Sequence, residues 1–390
     1  MNRLLAGDCR RTLPHLPPLA LYVHIPWCIR KCPYCDFNSH AAPESLPEQD
    51  YVTALLADLD LDLPLAAGRP LHSIFIGGGT PSLFSAAALQ RLLSGIRSRL
   101  QCPPDMEITL EANPGTFEQA RFAAYRQLGI NRLSIGIQSF NSRHLQQLGR
   151  VHDGAEALQA VHIARQAGFE RINLDLMHGL PGQSLQQALA DLQQAIALEP
   201  GHISWYQLTI EPNTLYWSKP PQLPEDETLW DIQEQGQALL QQHGYQQYEI
   251  SAYSRPAQQA THNLNYWQFG DFLGIGAGAH GKISHADGRI ERYWKTRQPD
   301  DYLQASSYCA GRRLLDNSEL PFEFLMNALR LVAGVPASMF CQRTGLALKS
   351  LAPGWQQAKQ RGLMQDSQQQ LATTARGNLF LNDVLQLFLP

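Results

Sequence analysis

Apolar and polar positions alternate along residues 19 to about 255 with two different periods. Short apolar runs predict strands, and the longer amphipathic segments between them predict helices. The predicted strands are Leu21–Ile25, Ser73–Ile76, Glu107–Glu111, Arg132–Gln138, Arg171–Met177 and Ser204–Thr209, with Tyr248–Tyr253 as a seventh candidate. The predicted helices are Pro47–Leu63, Ala86–Leu100, Phe117–Leu128, Gly154–Ala167, Leu185–Leu198 and Glu227–His243.

A strand followed by a helix, repeated six times, favours parallel strands joined by right-handed crossovers. Either an open doubly wound sheet or a full or partial (βα) barrel satisfies this pattern. Polar and glycine-rich residues cluster where the predicted strands end, at Gly77–Thr80, Glu111, Asn113, Gln138, Asp175 and His178. Because the C-terminal ends of strands carry the sites of such folds, we expect one site lined by several strands, as in a barrel mouth.

The last third of the chain has a different pattern. Residues 255–300 are rich in Gly, His and aromatic residues, and they predict irregular structure. Three short helices are predicted at Phe322–Val332, Ala337–Thr344 and Leu351–Arg361, followed by a hairpin formed by Gly362–Leu371 and Gly377–Phe388. We therefore expect an α/β protein with a smaller, winged-helix-like α+β domain at its C-terminus, divided as 1–285 and 286–390.

Composition limits the classes of function. The net charge is −4 over 390 residues, which disfavours general nucleic-acid binding. No apolar run reaches the roughly 18 residues of a transmembrane helix, and Met1–Pro18 lacks the apolar core of a secretory signal. We expect a cytosolic protein, and peripheral association with the inner face of the membrane stays open.

Three of the seven cysteines lie close together. Cys28, Cys32 and Cys35 have the spacing C-x3-C-x2-C in a loop after the first predicted strand, whereas Cys9, Cys102, Cys309 and Cys341 are scattered. Three thiolates in one loop can ligate three irons of a [4Fe–4S] cubane and leave the fourth iron open to a small molecule. The alternative is a zinc site completed by His24 or His40, since structural zinc takes four ligands.

The cysteine spacing resembles the radical-SAM signature. In that superfamily the open iron is chelated by the amino and carboxylate groups of S-adenosylmethionine, and reductive cleavage yields a 5′-deoxyadenosyl radical. Five segments resemble, in the right order, the oxygen-independent coproporphyrinogen III oxidase-like family, which includes HemW-type heme chaperones: Tyr22–Cys28, Gly77–Pro81, Glu111–Pro114, Ser134–Phe140 and Asn173–Pro181. The resemblance implies a partial (βα)6 barrel.

The resemblance also implies roles for individual residues. Glu111 would help to hold S-adenosylmethionine, Asp175 would face the ribose hydroxyls, and Arg150 would bind the methionine carboxylate as a planar fork. Gly78 and Gly79 would let the backbone approach the ligand closely. Further implied positions are Tyr22, Tyr34, Gly77, Thr80 and Gln138.

Two departures separate this chain from the dehydrogenases of that family. Those enzymes carry a fourth cysteine two residues after the third, where this chain has Phe37, and they have a longer segment before the cluster. His262-Asn-Leu-Asn-Tyr266-Trp267 matches the H-N-x-x-Y-W motif of the HemW type. Imidazole is a common axial ligand of heme iron, and aromatic rings suit the flat macrocycle.

The resemblance therefore implies a heme chaperone that passes heme to an acceptor protein, a respiratory membrane protein being one candidate. His262 is the implied heme contact, and His280 is a second candidate. Two alternatives stay open: a coproporphyrinogen III dehydrogenase, and a non-catalytic zinc or cluster protein with a DNA-reading C-terminal domain.

Overall fold

The computed structural model of the protein describes residues 12–13, 15–116 and 118–390. Its strands are β1 Leu19–Ile25, β2 Trp27–Cys28, β3 His40–Ala41, β4 Leu71–Gly78, β5 Glu107–Ala112, β6 Arg132–Gln138, β7 Arg171–His178, β8 His202–Gln207, β9 Gln246–Glu249, β10 Ala252–Ser254, β11 Asp271–Ile275, β12 His280–Ser284, β13 Ile290–Lys295, β14 Cys309–Leu314, β15 Val335–Pro336 and β16 Gln370–Leu371. Cys9, the first predicted helical residue Phe117, and most of Met1–Pro18 lie outside the described residues.

The helices connect these strands and cover the sheet. They are α1 Glu48–Ala66, α2 Ala86–Arg97, α3 Gln119–Gln127, α4 Ser142–Gln147, α5 Gly154–Gln166, α6 Leu185–Ala197, α7 Leu215–Ser218, α8 Asp226–Gln242, α9 Thr261–Trp267, α10 Pro299–Leu303, α11 Leu320–Ala328, α12 Ala337–Thr344, α13 Ala352–Gln360, α14 Ala375–Leu379 and α15 Leu381–Gln386. Short 3₁₀ helices lie at Pro81–Leu83, Pro114–Thr116 and Leu348–Leu351.

One twelve-stranded sheet carries the fold, in the order β14-β13-β12-β11-β1-β4-β5-β6-β7-β8-β10-β9. The strands from β11 to β8 run parallel to one another. Antiparallel strands extend both ends of this block, β12–β14 on one side and β10 and β9 on the other. The six predicted strand–helix units therefore form, and their strand C-termini meet at one edge.

Local sequence explains why these units start and end where they do. Every residue of β6 is buried, as expected for the middle of a parallel sheet with helices on its faces. Asp153 and Ser184 each form a capping box, with Glu156 and Gln187 respectively, so α5 and α6 begin where a side chain satisfies the free N–H groups of the first turn.

The prediction of irregular structure for residues 255–300 is wrong. That segment holds α9, β11, β12 and β13, all of which join or cover the main sheet. The strands of this segment were missed because two of their buried residues are lysines, which interrupt the apolar pattern of a strand. Lys282 bonds to Asp271, and Lys295 bonds to Asp58 and Asp62. Likewise the seventh predicted strand is two short antiparallel strands, β9 and β10, with an irregularity between Ala252 and Tyr253.

The C-terminal residues form a second hydrophobic core around Phe324, Phe340 and Val384. The three predicted helices are present as α11, α12 and α13. The predicted hairpin is wrong in its second half, because α14 and α15 occupy that part of the chain. The antiparallel pairing instead joins Met364 to Thr373, so the segment that follows α13 folds back on itself as in a winged-helix domain.

The large sheet extends beyond the expected domain division, since β13 and β14 belong to it. The division at 285 and 286 itself stays a prediction. In the part of the chain that the structure describes, no helix combines the length and the apolar composition needed to cross a bilayer.

Candidate functional site

The cysteine loop leaves the main sheet directly after β1. At its base, Trp27–Cys28 pairs with His40–Ala41 in a short parallel ladder, which ties the two ends of the loop together. Cys28, Cys32 and Cys35 line one cavity of about 320 Å³ above the C-terminal ends of the parallel strands. Burial raises the pKa of the Cys28 thiol to about 11 and also raises that of Cys35. A bound metal would reverse this preference, because coordination deprotonates a thiol.

The glycine segment after β4 passes beneath this loop with very little space. A Cβ atom on Gly79 would lie 2.5 Å from the carbonyl oxygen of Trp27, and Gly78 has φ +115°, which favours glycine. The backbone N–H of Gly79 donates to Ile25 O at 2.7 Å, and that of Thr80 donates to Trp27 O at 2.8 Å. The glycines therefore let β1 and β4 end side by side against the cavity.

Two partly buried carboxyl groups face the same cavity, from strands β5 and β7 on either side of β6. Glu111 accepts the N–H of Gly78 at 2.9 Å, and Asp175 accepts the Ser134 hydroxyl and the Asn173 amide, each at 2.8 Å. Burial, followed by the charge of Asp175, raises the pKa of Glu111 to about 8. Within the described residues neither carboxyl group forms an ion pair, so a cationic ligand would fit between them.

Arg150 approaches the cysteine loop from the other side of the cavity. Its guanidinium donates to Asn113 Oδ1 at 2.5 Å and to Gly136 O at 2.8 Å, and it lies 3.8 Å from Cys32 Sγ. The Nε–H of Arg150 is buried with no partner among the described residues. A buried guanidinium with an unused donor is a suitable partner for a carboxylate ligand.

Gln138 holds an unusual backbone conformation at the end of β6, with φ +67°. Its Oε1 accepts the hydroxyl of Tyr206 at 2.9 Å, and it lines the cavity together with Tyr34 and Thr80. Strained non-glycine residues occur mainly where surrounding structure holds them for function. These three predicted residues are thus brought together with the cysteines, Glu111, Asp175 and Arg150.

A second and larger cavity, of about 820 Å³, adjoins the first. The two share four lining residues, Asp36, Phe37, Gly78 and Glu111. Tyr22 lines this second cavity rather than the first, and Tyr266 and Trp267 of the predicted motif line it as well. Its volume falls within the roughly 300–1,000 Å³ range of pockets for organic ligands.

His262 does not line either cavity. Its ring is 1% exposed, stacks on Phe75, and bonds to Ser73 Oγ and Tyr266 Oη, each at 2.9 Å. Burial lowers the pKa of His262 to about 3, so the imidazole is neutral. His280, by contrast, is exposed and lines the larger cavity. His178 is buried against Trp205, with ring centroids 4.2 Å apart, and takes no part in either cavity.

A single-ion site does not form around the cysteines. Among the described residues no three His, Cys, Asp or Glu side chains converge on a point that could hold one metal ion. Both ring nitrogens of His24 are already bonded, to Tyr22 Oη at 2.9 Å and Asn38 O at 2.8 Å. A cubane places each cysteine on a different iron, so it needs no such convergence. The donor set therefore fits a cluster better than zinc.

Sequence reasoning missed one side of each cavity. Tyr206 near the end of β8, together with Thr209 and Glu211 after it, lines the smaller cavity, and Arg292 and Arg297 line the larger one. The residues at the end of the sixth predicted strand could have been found, because the ends of the earlier predicted strands had already been assigned to the site. The two arginines gave none, since their segment was interpreted as irregular.

Comparison with known proteins agrees with this arrangement. Residues 22–195 match the Radical SAM superfamily, and residues 315–380 match the HemN C-terminal domain. The chain is 54% identical over 374 residues to the protein named heme chaperone HemW of Escherichia coli, covering 96% of this chain and 99% of that one. This chain belongs to the HemW family of radical SAM proteins.

Two further comparisons extend this result. The heme chaperone HemW of Haemophilus influenzae is 52% identical over 381 residues, covering 97% of this chain and 99% of the relative. The solved structure of coproporphyrinogen III oxidase (HemN) from Escherichia coli, described as a radical SAM enzyme, superposes with a TM-score of 0.82 at 24% identity, covering 99% of this chain and 92% of that one. The α/β fold with a C-terminal domain is thus confirmed.

Proposed function

We propose that this HemW-family protein is a heme chaperone, which binds heme in the larger cavity and transfers it to an acceptor protein. The observation that carries the proposal is the pair of adjoining cavities that share Asp36, Phe37, Gly78 and Glu111. The smaller is lined by cysteines and buried polar groups, and the larger by aromatic rings. Relatives named heme chaperones support the assignment of heme to the larger one.

In this proposal Cys28, Cys32 and Cys35 hold a [4Fe–4S] cluster, and S-adenosylmethionine fills the rest of the smaller cavity. When bound, the pair supplies one-electron chemistry. Glu111 accepts the ligand's amino group, and Arg150 donates to its carboxylate. Asp175 accepts from the ribose hydroxyls, while Gly78, Gly79, Thr80, Gln138 and Tyr34 shape the walls. Among the described residues the two carboxyl groups form no ion pair and the Nε–H of Arg150 has no partner, which supports this assignment.

Tyr22, Tyr266 and Trp267 form part of the heme cavity, and His262 acts on heme through Tyr266. The acceptor is a heme-requiring protein, for which a respiratory membrane protein is our candidate. A cytosolic location, with peripheral contact at the inner face of the membrane, fits delivery to such an acceptor. DNA plays no part in this function.

The direct test is an anaerobic titration of the cluster-reconstituted full chain with heme, followed by the Soret band. We expect saturation at one heme per chain, weakened by Trp267→Ala. Trp230→Ala is the matched control, because Trp230 is 52% exposed on α8 and lines neither cavity.

Failure of heme to saturate the wild-type protein would overturn the proposal. Anaerobic decarboxylation of coproporphyrinogen III by the purified protein would also contradict it, and would favour the dehydrogenase. Phe37, at the position of the dehydrogenases' fourth cysteine, is the reason that we expect no such turnover.

A further inference from the structure

The wall of the larger cavity formed by β11, β12 and β13 has a fixed register. His280 on β12 lies opposite Trp294 on β13, and Lys282 lies opposite Arg292. Because side chains alternate along a strand, His280, Arg292 and Trp294 share one face of the sheet. The alternate residues of β13, Tyr293 and Lys295, are buried on the other face. The register therefore directs His280 and Arg292 into the cavity together.

His280 differs from the other histidines near this cavity in having a free ring. His24 also lines the cavity, but both of its ring nitrogens are bonded, as are those of the buried His262. No hydrogen bond to the ring of His280 is found in the described part of the chain. Partial desolvation of the ring by the cavity walls, with smaller contributions from Arg292 and Arg297, lowers the pKa of His280 below its usual value, which favours the neutral form that can bind a metal.

Aromatic faces surround the space in front of this ring. Trp294 is 37% exposed and Phe37 is 61% exposed, and both line the cavity with Tyr266 and Trp267. An exposed aromatic side chain is ordinary by itself, but several that line one cavity form an apolar patch, which is typical of a ligand site. A porphyrin ring has the required flat, apolar shape.

Arg292 and Arg297 provide positive charge in the same cavity. Arg292 is paired with Glu323 of α11 at 2.7 Å, whereas Arg297 has no ion-pair partner among the described residues. The carboxyl groups lining the cavity are Asp36 and Glu111. Since burial raises the pKa of Glu111 to about 8, Asp36 is the group that would oppose an anionic ligand at neutral pH.

We propose that His280 is the axial ligand of heme iron in this cavity and that Arg297 binds a heme propionate. The step is coordination alone: a lone pair of the neutral imidazole fills one axial position of the iron, and no electron is transferred. The inference rests on the proposed function and adds the residue that recognises the metal and the one that recognises the carboxylates.

The test is a heme titration of the cluster-reconstituted full chain, with the Soret band and the spin state of ferric heme as readouts. We expect His280→Ala to lose the histidine-ligated spectrum and added imidazole to restore it, an effect that a merely structural residue would not show. Arg297→Gln should keep the spectrum but weaken binding by about tenfold, the scale of one charge-assisted hydrogen bond. His243→Ala, on the exposed end of α8, is the matched control.

The outcomes separate the two proposals. If wild type shows no saturable binding, the chaperone function itself fails, and the inference fails with it. If wild type binds heme and His280→Ala keeps both spectrum and affinity, only the assignment of His280 is overturned. If His262→Ala loses the ligated spectrum and imidazole restores it, His262 is the ligand and the inference is wrong.

Discussion

The imidazole of His262 bonds to the hydroxyl of Tyr266 at 2.9 Å, and only Tyr266 of the pair reaches the cavity. One turn of α9 separates them, so they lie on the same helical face. The other ring nitrogen of His262, Nδ1, is hydrogen-bonded to Oγ of Ser73 on β4 at 2.9 Å. The histidine thus connects the parallel sheet to an aromatic wall of the cavity and acts as a positioning residue.

His262→Ala should therefore cost stability as well as affinity for heme. The substitution leaves Ser73 and Tyr266 without partners and opens a buried space, so we expect a loss of about 2–4 kcal/mol in the free energy of unfolding. Tyr266→Phe should cost less, about 1–2 kcal/mol, because it removes one bond and little volume. Anaerobic denaturant titration measures both. Unchanged stability of His262→Ala would contradict the positioning role.

Gly79→Ala should prevent normal assembly of the cluster. Its new Cβ would lie 2.5 Å from the backbone oxygen of Trp27, next to Cys28, so the cysteine loop has to shift. We expect a clear fall in iron and sulfide bound per chain after reconstitution. Gly115→Ala is the control, because its Cβ would make only ordinary contact with Val151 at 3.4 Å. Equal iron content in the two variants would refute the proposed role of this close approach.

Glu111 should make the stability of the cofactor-free protein depend on pH. Its pKa rises from the usual 4.5 to about 8, mainly through burial. Between these values the folded protein keeps a proton that the unfolded chain releases, so the free energy of unfolding falls as the pH rises. Glu111→Gln removes this effect. We therefore expect the denaturant midpoint of Glu111→Gln, relative to that of wild type, to increase from pH 5 to pH 8.

The control for this pH dependence is Glu170→Gln, at an exposed position outside both cavities. Its midpoint should follow that of wild type at every pH. Parallel curves for Glu111→Gln and wild type would show that Glu111 ionises normally in the folded protein.

Lys295→Met should be among the most destabilising changes to the sheet. The buried Nζ lies 2.5 Å from Asp58 and 2.7 Å from Asp62, both on α1. Removing the cation leaves two buried carboxylates unpaired, so we expect a loss of about 3–5 kcal/mol. Arg99→Met breaks the partly exposed pair with Asp60 and should cost about 1 kcal/mol or less. Similar losses in the free energy of unfolding for Lys295→Met and Arg99→Met, measured by urea unfolding, would contradict this account.

The parallel core could be predicted because its pattern is simple. β6 has the predicted bounds, Arg132–Gln138, since every residue in it is buried and its neighbours on both sides are strands. The cysteine spacing likewise placed Cys28, Cys32 and Cys35 in one loop. Such features depend on local sequence and need no knowledge of distant partners.

The remaining parts depend on contacts between residues far apart in the chain. In the sequence a lysine such as Lys282 indicates a polar surface, yet it is buried against Asp271 and the ring of Phe269. Gly377 was predicted to begin the second half of a hairpin, but it lies in α14, where a Cβ would meet the carbonyl oxygen of Leu363. Neither partner can be identified from periodicity, so the larger cavity and the last two helices were missed.

The most direct test of the account is a structure of the full chain with its cluster, S-adenosylmethionine and heme bound. We predict porphyrin density in the larger cavity, between the β11–β13 wall and Phe37, with the iron facing His280. Heme bound on the C-terminal domain, or anywhere outside this cavity, would contradict the claim that the adjoining cavities form one site.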